Sequence, residues 1–133
     1  MTSPFVQRAR ALIGAQFRIQ GRGAEGLDCI GLAIATYAID TRAVRSNYSL
    51  RGNQREELER GLTRFFRQVK ATQRRDGDLM LLAPAGDQLH LAVRTPDGFV
   101  HAHAGIGRVV ETPGEPQWPV LGIYRRRTRG RTD

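Results

Sequence analysis

The sequence of 133 residues has little of what proteins use for covalent bracing or for membrane anchoring. Its single cysteine, Cys29, excludes an internal disulfide and a zinc site built from several cysteines. No apolar run approaches the roughly 20 residues that a transmembrane segment needs. Residues 1–10 lack the apolar stretch and cleavage site of a secretory signal. We therefore expect one domain, made in the cytoplasm without a signal peptide.

Acidic residues are also scarce relative to basic ones. The chain has 21 Lys and Arg residues against 13 Asp and Glu, a net charge of +8. Residues 125–133 hold five arginines and one aspartate, which predicts a domain over 1–124 followed by a basic tail. That tail has no interleaved aromatic residues to stack on bases, so we expect no nucleic-acid partner. An anionic wall or an acidic protein fits the charge, and so does a simple solvated surface.

The spacing of apolar residues predicts three helices in the first half of the chain. Ser3 and Pro4 are typical of a helix start, and Gly14 follows as a stop. After a glycine-rich loop over residues 15–27, an apolar and therefore buried helix is expected over residues 29–39. A capping-box pattern from residues 53 to 56 predicts a third helix that ends near residue 69.

The second half has the shorter apolar runs of strands, at 78–83, 90–95, 99–104, 108–112 and 120–125. Helices followed by an antiparallel meander predict an α+β fold with a sheet of about five strands. If Asp97 and Gly98 form a two-residue hairpin loop, Arg94 lies opposite His101 and Ala92 lies opposite His103. His90 then shares a sheet face with both of those histidines.

Cys29 is a candidate nucleophile because it follows a Gly-Leu-Asp loop and opens the buried helix. The helix dipole and the unpaired N–H groups favour a thiolate and can hold an oxyanion. This placement predicts an exposed thiol whose pKa lies below its ordinary value. The alternative is a small buried apolar residue, which is the usual role of a lone cysteine. For Asp28, the alternative is a helix N-cap.

Three histidines on one sheet face, His90, His101 and His103, can supply a general base and a group that orients it. Two other interpretations remain open. Each histidine can be a satisfied, half-buried residue, or the three can bind zinc together with Cys29. The zinc interpretation lacks well-placed acidic neighbours, and we expect no metal.

Four ordered blocks resemble the NlpC-type (NlpC and p60) cell-wall peptidases over residues 5–124. They are the Gly-x-Asp-Cys-x-Gly segment around Cys29, Gly-Asp-Leu-Met-Leu-Leu from Gly77, His-Leu-Ala-Val from His90 and Phe-Val-His-Ala from Phe99. The short form is most similar to the cell-wall peptidases of phage tails and gene transfer agents. The resemblance implies a papain-like α+β fold in which the nucleophile helix packs on the antiparallel sheet.

The resemblance also implies roles for single residues. Cys29 matches the nucleophile, His90 the general base and acid, and His101 the third group that orients His90. Phe17, Asp28 and His103 are candidate substrate-binding residues; the family usually has Tyr at the position of Phe17 and Ser at that of Ile30. The implied reaction hydrolyses an amide bond of the peptidoglycan stem peptide through a Cys thioester, without metal or cofactor. The bond between D-glutamate and a diamino acid is the expected target.

The same resemblance implies a place of action. The protein is expected to reach the wall or periplasm as part of a phage-like tail or baseplate, with tail proteins as partners. A non-catalytic structural or binding component of a tail tip is the alternative. Loss of the usual Tyr at Phe17 favours that alternative, whereas the intact set of Cys29, His90 and His101 favours the enzyme.

Overall fold

The computed structural model describes residues 3–23, 25–44, 50–85 and 87–127. Its helices are α1 (Pro4–Ala11), α2 (Cys29–Thr36) and α3 (Arg55–Thr63). Single 3-10 turns occur at Thr41–Ala43, Gly52–Gln54 and Ala71–Gln73. None of the helices in these ranges has the length and apolar character that crossing a membrane requires.

The starts of the first two helices confirm the sequence predictions. Pro4 occupies the first turn of α1, and the Ser3 hydroxyl accepts a hydrogen bond from the Phe5 N–H at 3.2 Å. α2 begins at Cys29, and it ends at Thr36, before the predicted end near residue 39. The backbone of Ala38 lies in the left-handed region at φ 53°, a conformation with which a right-handed helix cannot continue.

The prediction of a long third helix is wrong at both ends. Gln54 is the N-cap of α3, without a side-chain hydrogen bond, so Asn53 does not form the predicted capping box. The helix ends at Thr63, and residues 66–69 form a strand paired with the last strand of the chain. Pairing with a partner that is distant in sequence outweighs local helix preference here, and a single-sequence pattern does not report such a partner.

The strands form a two-stranded and a six-stranded antiparallel sheet. The small sheet pairs β1 (Arg22–Gly23) with β2 (Gly26–Leu27). The large sheet has the order β3–β8–β4–β5–β6–β7. Its strands are β3 (Phe66–Val69), β4 (Leu79–Leu82), β5 (His90–Arg94), β6 (Gly98–His103), β7 (Arg108–Pro113) and β8 (Val120–Arg126). β3 is the strand of the large sheet that the sequence analysis did not predict, and the short strands β1 and β2 lie within the predicted loop over residues 15–27.

The start of the predicted basic tail belongs to the sheet. β8 runs through Arg126, so the predicted boundary after residue 124 falls inside a strand. Arg125 is buried, and its guanidinium donates to both carboxylate oxygens of Asp78 at 2.8 and 2.9 Å. It also donates to the backbone carbonyl of Gln73 at 2.9 Å. Residues 128–133 of the predicted tail lie outside the described residues.

The large sheet has an apolar cluster on each face. The helix-side cluster joins α2 to alternate strand residues, among them Leu79, Leu81, Leu91 and Val93. The outer cluster consists of Val69, Met80, Leu82, Ala92, Phe99 and Ile123, with Trp118 packed against it. β4 contributes to both clusters, as its continuous apolar run predicts. The histidines of β5 and β6 alternate with helix-side residues, so they lie on the outer face.

The hairpin between β5 and β6 has a different register from the predicted one. Arg94 lies opposite Phe99, two residues away from the predicted partner His101. The turn is centred on Pro96 and Asp97: the Thr95 N–H donates to the Gly98 carbonyl at 2.9 Å. Proline favours the first central position of a turn. Because side chains alternate across a strand, a shift of two residues keeps every side chain on its predicted face.

Candidate active site

A cleft of about 540 Å³ opens at the N-terminal end of α2, beside the ends of β5 and β6. It brings together every candidate residue from the sequence analysis, namely Phe17, Asp28, Cys29, His90, His101 and His103. Segments 50–51 and 87–89 form another wall, and Trp118 lies among the lining residues. The helix thus supplies the cysteine, and two adjacent strands supply the histidines. Their catalytic roles stay predictions.

Cys29 is held against the first residues of β5. Its side chain accepts a hydrogen bond from the backbone N–H of Leu91, the residue that follows His90. Only 3% of Cys29 is exposed. Burial, followed by the nearby Asp28 carboxylate, raises the pKa of the thiol to about 12. The expectation of an exposed, acidic thiol is therefore wrong, because loss of hydration outweighs the effect of the helix N-terminus.

Asp28 holds the loop that delivers Cys29. Its Oδ1 accepts from the Gly31 N–H at 2.8 Å, which is the N-cap interaction of α2. The same oxygen accepts from the Arg22 guanidinium at 2.8 Å, and Oδ2 accepts from the Gln20 N–H at 3.0 Å. The N-cap alternative from the sequence is confirmed. Substrate binding by Asp28 stays a prediction.

His90, His101 and Thr112 form a chain of side-chain hydrogen bonds, called here the histidine chain. His90 Nε2 lies 2.9 Å from His101 Nδ1, and His101 Nε2 lies 2.8 Å from Thr112 Oγ1. Burial, together with the neighbouring histidines, lowers the pKa of His90 to about 3. Burial and His103 lower the pKa of His101 to about 4. Both imidazoles are therefore neutral near pH 7.

His103 lies next to the histidine chain but is tied to its own turn. Its Nδ1 accepts a hydrogen bond from the Ile106 N–H at 3.0 Å. Its ring centroid is 5.4 Å from that of His101. Of the two histidines on β6, His101 is thus the one that is hydrogen-bonded to His90, as its predicted orienting role requires.

Sequence reasoning missed two side chains of the site, Thr112 and Trp118. Thr112 pairs with Phe99 across β6 and β7, so only the register of that pair shows that it reaches His101. Trp118 comes from the segment between β7 and β8, and its ring centroid is 5.8 Å from His90 and 5.9 Å from His101. The strand pattern assigns no element to the segment between residues 112 and 120, so it gives no signal for Trp118.

Phe17 contributes an apolar wall to the cleft. Its backbone is fixed by a bridge to Leu27 and by a 2.8 Å hydrogen bond to the Gly107 carbonyl. A phenyl ring cannot donate the hydrogen bond that a tyrosine hydroxyl would offer at this position. Among the described residues, no three His, Cys, Asp or Glu side chains are grouped so that they could hold a metal ion.

Comparison with known proteins identifies the fold. No family model and no curated protein matches the sequence. The NlpC/p60 domain of the peptidoglycan hydrolase SagA superposes with a TM-score of 0.59 at 20% identity, covering 83% of this chain and 86% of that one. An NlpC/p60 family protein from Bacillus cereus gives 0.66 at 19% identity, over 95% of this chain and 41% of that one.

A third solved structure is RipD from Mycobacterium tuberculosis, a non-catalytic NlpC/p60 domain protein adapted to peptidoglycan binding. It superposes with a TM-score of 0.56 at 19% identity, covering 92% of this chain and 94% of that one. NlpC/p60 domains with and without catalysis thus share this architecture. The helices and the antiparallel sheet together give this chain the NlpC/p60 fold.

Proposed function

We propose that the protein is a cysteine hydrolase of peptidoglycan that cleaves an amide bond of the stem peptide. The observation that carries this proposal is the meeting of Cys29 with the His90–His101 pair in one cleft. A nucleophile, a base within reach and a group that orients the base are the parts that covalent amide hydrolysis needs. The NlpC/p60 fold, which SagA and other peptidoglycan hydrolases share, supports peptidoglycan as the substrate class.

The resting site holds a neutral thiol and a neutral imidazole rather than an ion pair. His90 therefore acts as a general base during the attack: it takes the Sγ proton as sulfur bonds to the amide carbon. His90 Nε2 is engaged by His101, which leaves Nδ1 for this proton. In this proposal the backbone N–H of Cys29 and a neighbouring N–H at the start of α2 stabilise the oxyanion.

The remaining steps return every group to its resting state. His90 passes its proton to the amide nitrogen, the C–N bond breaks, and an amine leaves while the acyl group stays on sulfur as a thioester. His90 then takes a proton from water, whose oxygen attacks the thioester carbon. Breaking of the C–S bond releases a carboxylic acid, and His90 returns the proton to the Cys29 sulfur.

Non-catalytic binding of peptidoglycan is the second candidate function. The observation that favours it is the burial of Cys29, whose thiol has a pKa of about 12. RipD supports it as an NlpC/p60 protein with that adaptation. The geometry favours the enzyme more strongly, because a pure binding site does not need a thiol and a hydrogen-bonded histidine pair in the same cleft.

Two finer proposals come from the sequence resemblance alone. The bond cleaved is proposed to join D-glutamate to the diamino acid. The protein is proposed to act as a component of a phage-tail or gene-transfer particle, with tail or baseplate proteins as its partners. Proteomics of purified particles tests the second proposal, and absence of the protein from them would remove it.

Release of dye from labelled sacculi, measured beside sedimentation of protein with unlabelled sacculi, separates the two candidate functions. We expect the wild-type protein to release dye, and Cys29→Ala to bind sacculi without releasing any. Thr41→Ala is the control and should release dye like the wild type, since Thr41 is exposed and lies outside the cleft. Sedimentation of the wild-type protein without dye release would establish the binding function instead.

A further inference from the structure

The histidine chain ends on Thr112, a side chain to which neither the fold nor the sequence assigns a role. Each link of the chain contains one proton and one lone pair, so the polarity of one link fixes the polarity of the next. A neutral imidazole carries its proton on only one of its two nitrogens. A hydroxyl can either donate or accept. The behaviour of Thr112 therefore determines which nitrogens of His101 and His90 carry protons.

We propose that Thr112 is a positioning residue that accepts a hydrogen bond from His101 and thereby leaves His90 Nδ1 unprotonated. With Thr112 Oγ1 as acceptor, the proton of His101 lies on Nε2, and its Nδ1 is a lone pair. His101 Nδ1 then accepts from His90 Nε2–H, which places the lone pair of His90 on Nδ1. This inference rests on the proposed function, because the two short contacts fit either polarity and only a base at His90 selects this one.

The opposite polarity would disable the base. If Thr112 donated to His101 Nε2, the His101 proton would lie on Nδ1 and would be donated to His90 Nε2. His90 would then carry its proton on Nδ1, the nitrogen that has to receive the Sγ proton. A site that uses neutral histidines therefore needs an acceptor at the far end of the chain.

The surroundings of His101 make Thr112 its effective partner at Nε2. Only 1% of His101 is exposed, so water is a poor substitute. Its neighbours within 6 Å between ring centroids include Phe99 at 4.8 Å and Trp118 at 5.9 Å. Thr112 is β-branched and lies on a strand, which restricts rotation of its hydroxyl away from His101. Both imidazoles are neutral near pH 7, so the tautomer and not the charge is the variable.

Nitrogen-15 NMR of the histidine rings tests the inference on the resting protein, without substrate. At pH 7 we expect the wild type to show His101 protonated on Nε2 and His90 protonated on Nε2. Thr112→Val removes the acceptor and should give mixed tautomers on both rings, whereas Thr112→Ser should restore the wild-type pattern. If Thr112→Val does not fold, Thr112→Ala is used in its place.

Thr95→Val is the matched control. It removes the hydroxyl of a buried threonine in the same sheet region, which donates to Glu111 and accepts from the Gly98 N–H. We expect it to leave both tautomers unchanged. Wild-type tautomers in Thr112→Val, or His90 protonated on Nδ1 in the wild type, would overturn the inference.

Kinetics on labelled sacculi separate this inference from the proposed function. We expect Thr112→Val to lower kcat about tenfold with KM nearly unchanged, as loss of one hydrogen bond implies, and Thr112→Ser to recover it. If the wild type is inactive but the tautomers respond to Thr112, the positioning role stands and the hydrolase proposal fails. If the wild type is active but Thr112→Val changes neither tautomer nor kcat, the hydrolase stands and the positioning role fails.

Discussion

Two polar clusters of this protein are shielded from water, and they differ in whether their side chains are charged or neutral. Asp78, in the turn before β4, and Arg125, on β8, are 2% and 9% exposed and form an ion pair through two hydrogen bonds. On β5, β6 and β7, the histidine chain is also shielded from water but is neutral, as is Cys29 beside it. Both clusters are shielded from water, but only the first one contains an ion pair.

The difference separates a cluster that stabilises the fold from the cluster for which we propose a catalytic role. Asp78 also accepts from the Arg75 N–H at 2.7 Å, so its acceptors are engaged within the domain. These hydrogen bonds fix β8 to the turn before β4 and leave few acceptor sites of Asp78 for a ligand. The histidine chain uses only Nε2 of His90, and His90 itself lines the cleft. The neutral cluster is therefore the one that has a nitrogen available for proton transfer.

The largest effect that tests this contrast concerns the thiol. A pKa of about 12 predicts that alkylation of Cys29 by iodoacetamide at pH 7.5 is about a thousandfold slower in the folded protein than in urea. The rate should rise as the pH rises through 9 and 10, because the thiolate is the reacting form. Mass spectrometry of the alkylated peptide measures both rates. Rapid alkylation of the folded protein at pH 7 would contradict the neutral cluster.

The next effect concerns the charged cluster. Arg125→Met leaves the Asp78 carboxylate buried without its partner and should lower the free energy of unfolding by about 3–5 kcal/mol. Urea unfolding followed by circular dichroism measures the loss. Arg42→Met is the matched control, since Arg42 pairs with Asp40 on the surface, with 89% of its side chain exposed. That control should leave the urea midpoint of unfolding unchanged. Equal midpoints for Arg125→Met and Arg42→Met would show that the buried ion pair does not stabilise the fold more than the exposed one.

Substitutions in the histidine chain should have the opposite effect: they should lower activity more than they lower the free energy of unfolding. His90→Ala should lower the rate on sacculi by at least about 100-fold, because it removes positioned acid–base catalysis. His101→Ala should cost less, and His103→Ala least, since only His101 is bonded to His90. Near-normal activity of His90→Ala, or a larger loss at His103 than at His101, would refute the assigned roles.

The smallest effect is a pH dependence of stability. Burial lowers the folded pKa of His90 and His101 below the unfolded value near 6.5, so the unfolded chain binds more protons below that pH. Stability should therefore be complete above pH 6.5 and fall by up to about 1.4 kcal/mol per pH unit for each histidine as the pH drops towards 5. Urea unfolding at several pH values measures this for the wild type and for the double variant His90→Gln/His101→Gln. If the free energy of unfolding depends on pH equally in both proteins, the two lowered pKa values are excluded.

The sequence predicted those parts of the fold that depend on local pattern. The helix start at Ser3 and Pro4, the start of α2 at Cys29 and the strand within residues 78–83 follow from residue types and periodicity, and the structure confirms them. The end of α3 and the strand β3 depend on pairing with β8, nearly 60 residues away in sequence. Periodicity within one segment has no information about such a partner.

The candidate site shows the same division between local and distant information. The hairpin register was wrong by two residues, yet the shared face of the histidines survived because alternation has a period of two. Thr112 and Trp118 reach the site only through the arrangement of β6, β7 and the segment after them. The raised pKa of Cys29 depends on how deeply α2 packs on the sheet, which residue spacing does not define.

The central claim is that the neutral cluster of Cys29 and His90 hydrolyses an amide bond of peptidoglycan. Mass spectrometry of fragments released from purified sacculi in ¹⁸O-labelled water tests it most directly. We predict that the wild type releases fragments with a new amine and a new carboxylate carrying one ¹⁸O, and that Cys29→Ala releases none. Absence of new fragments from the wild type, or equal release by Cys29→Ala, would contradict the claim.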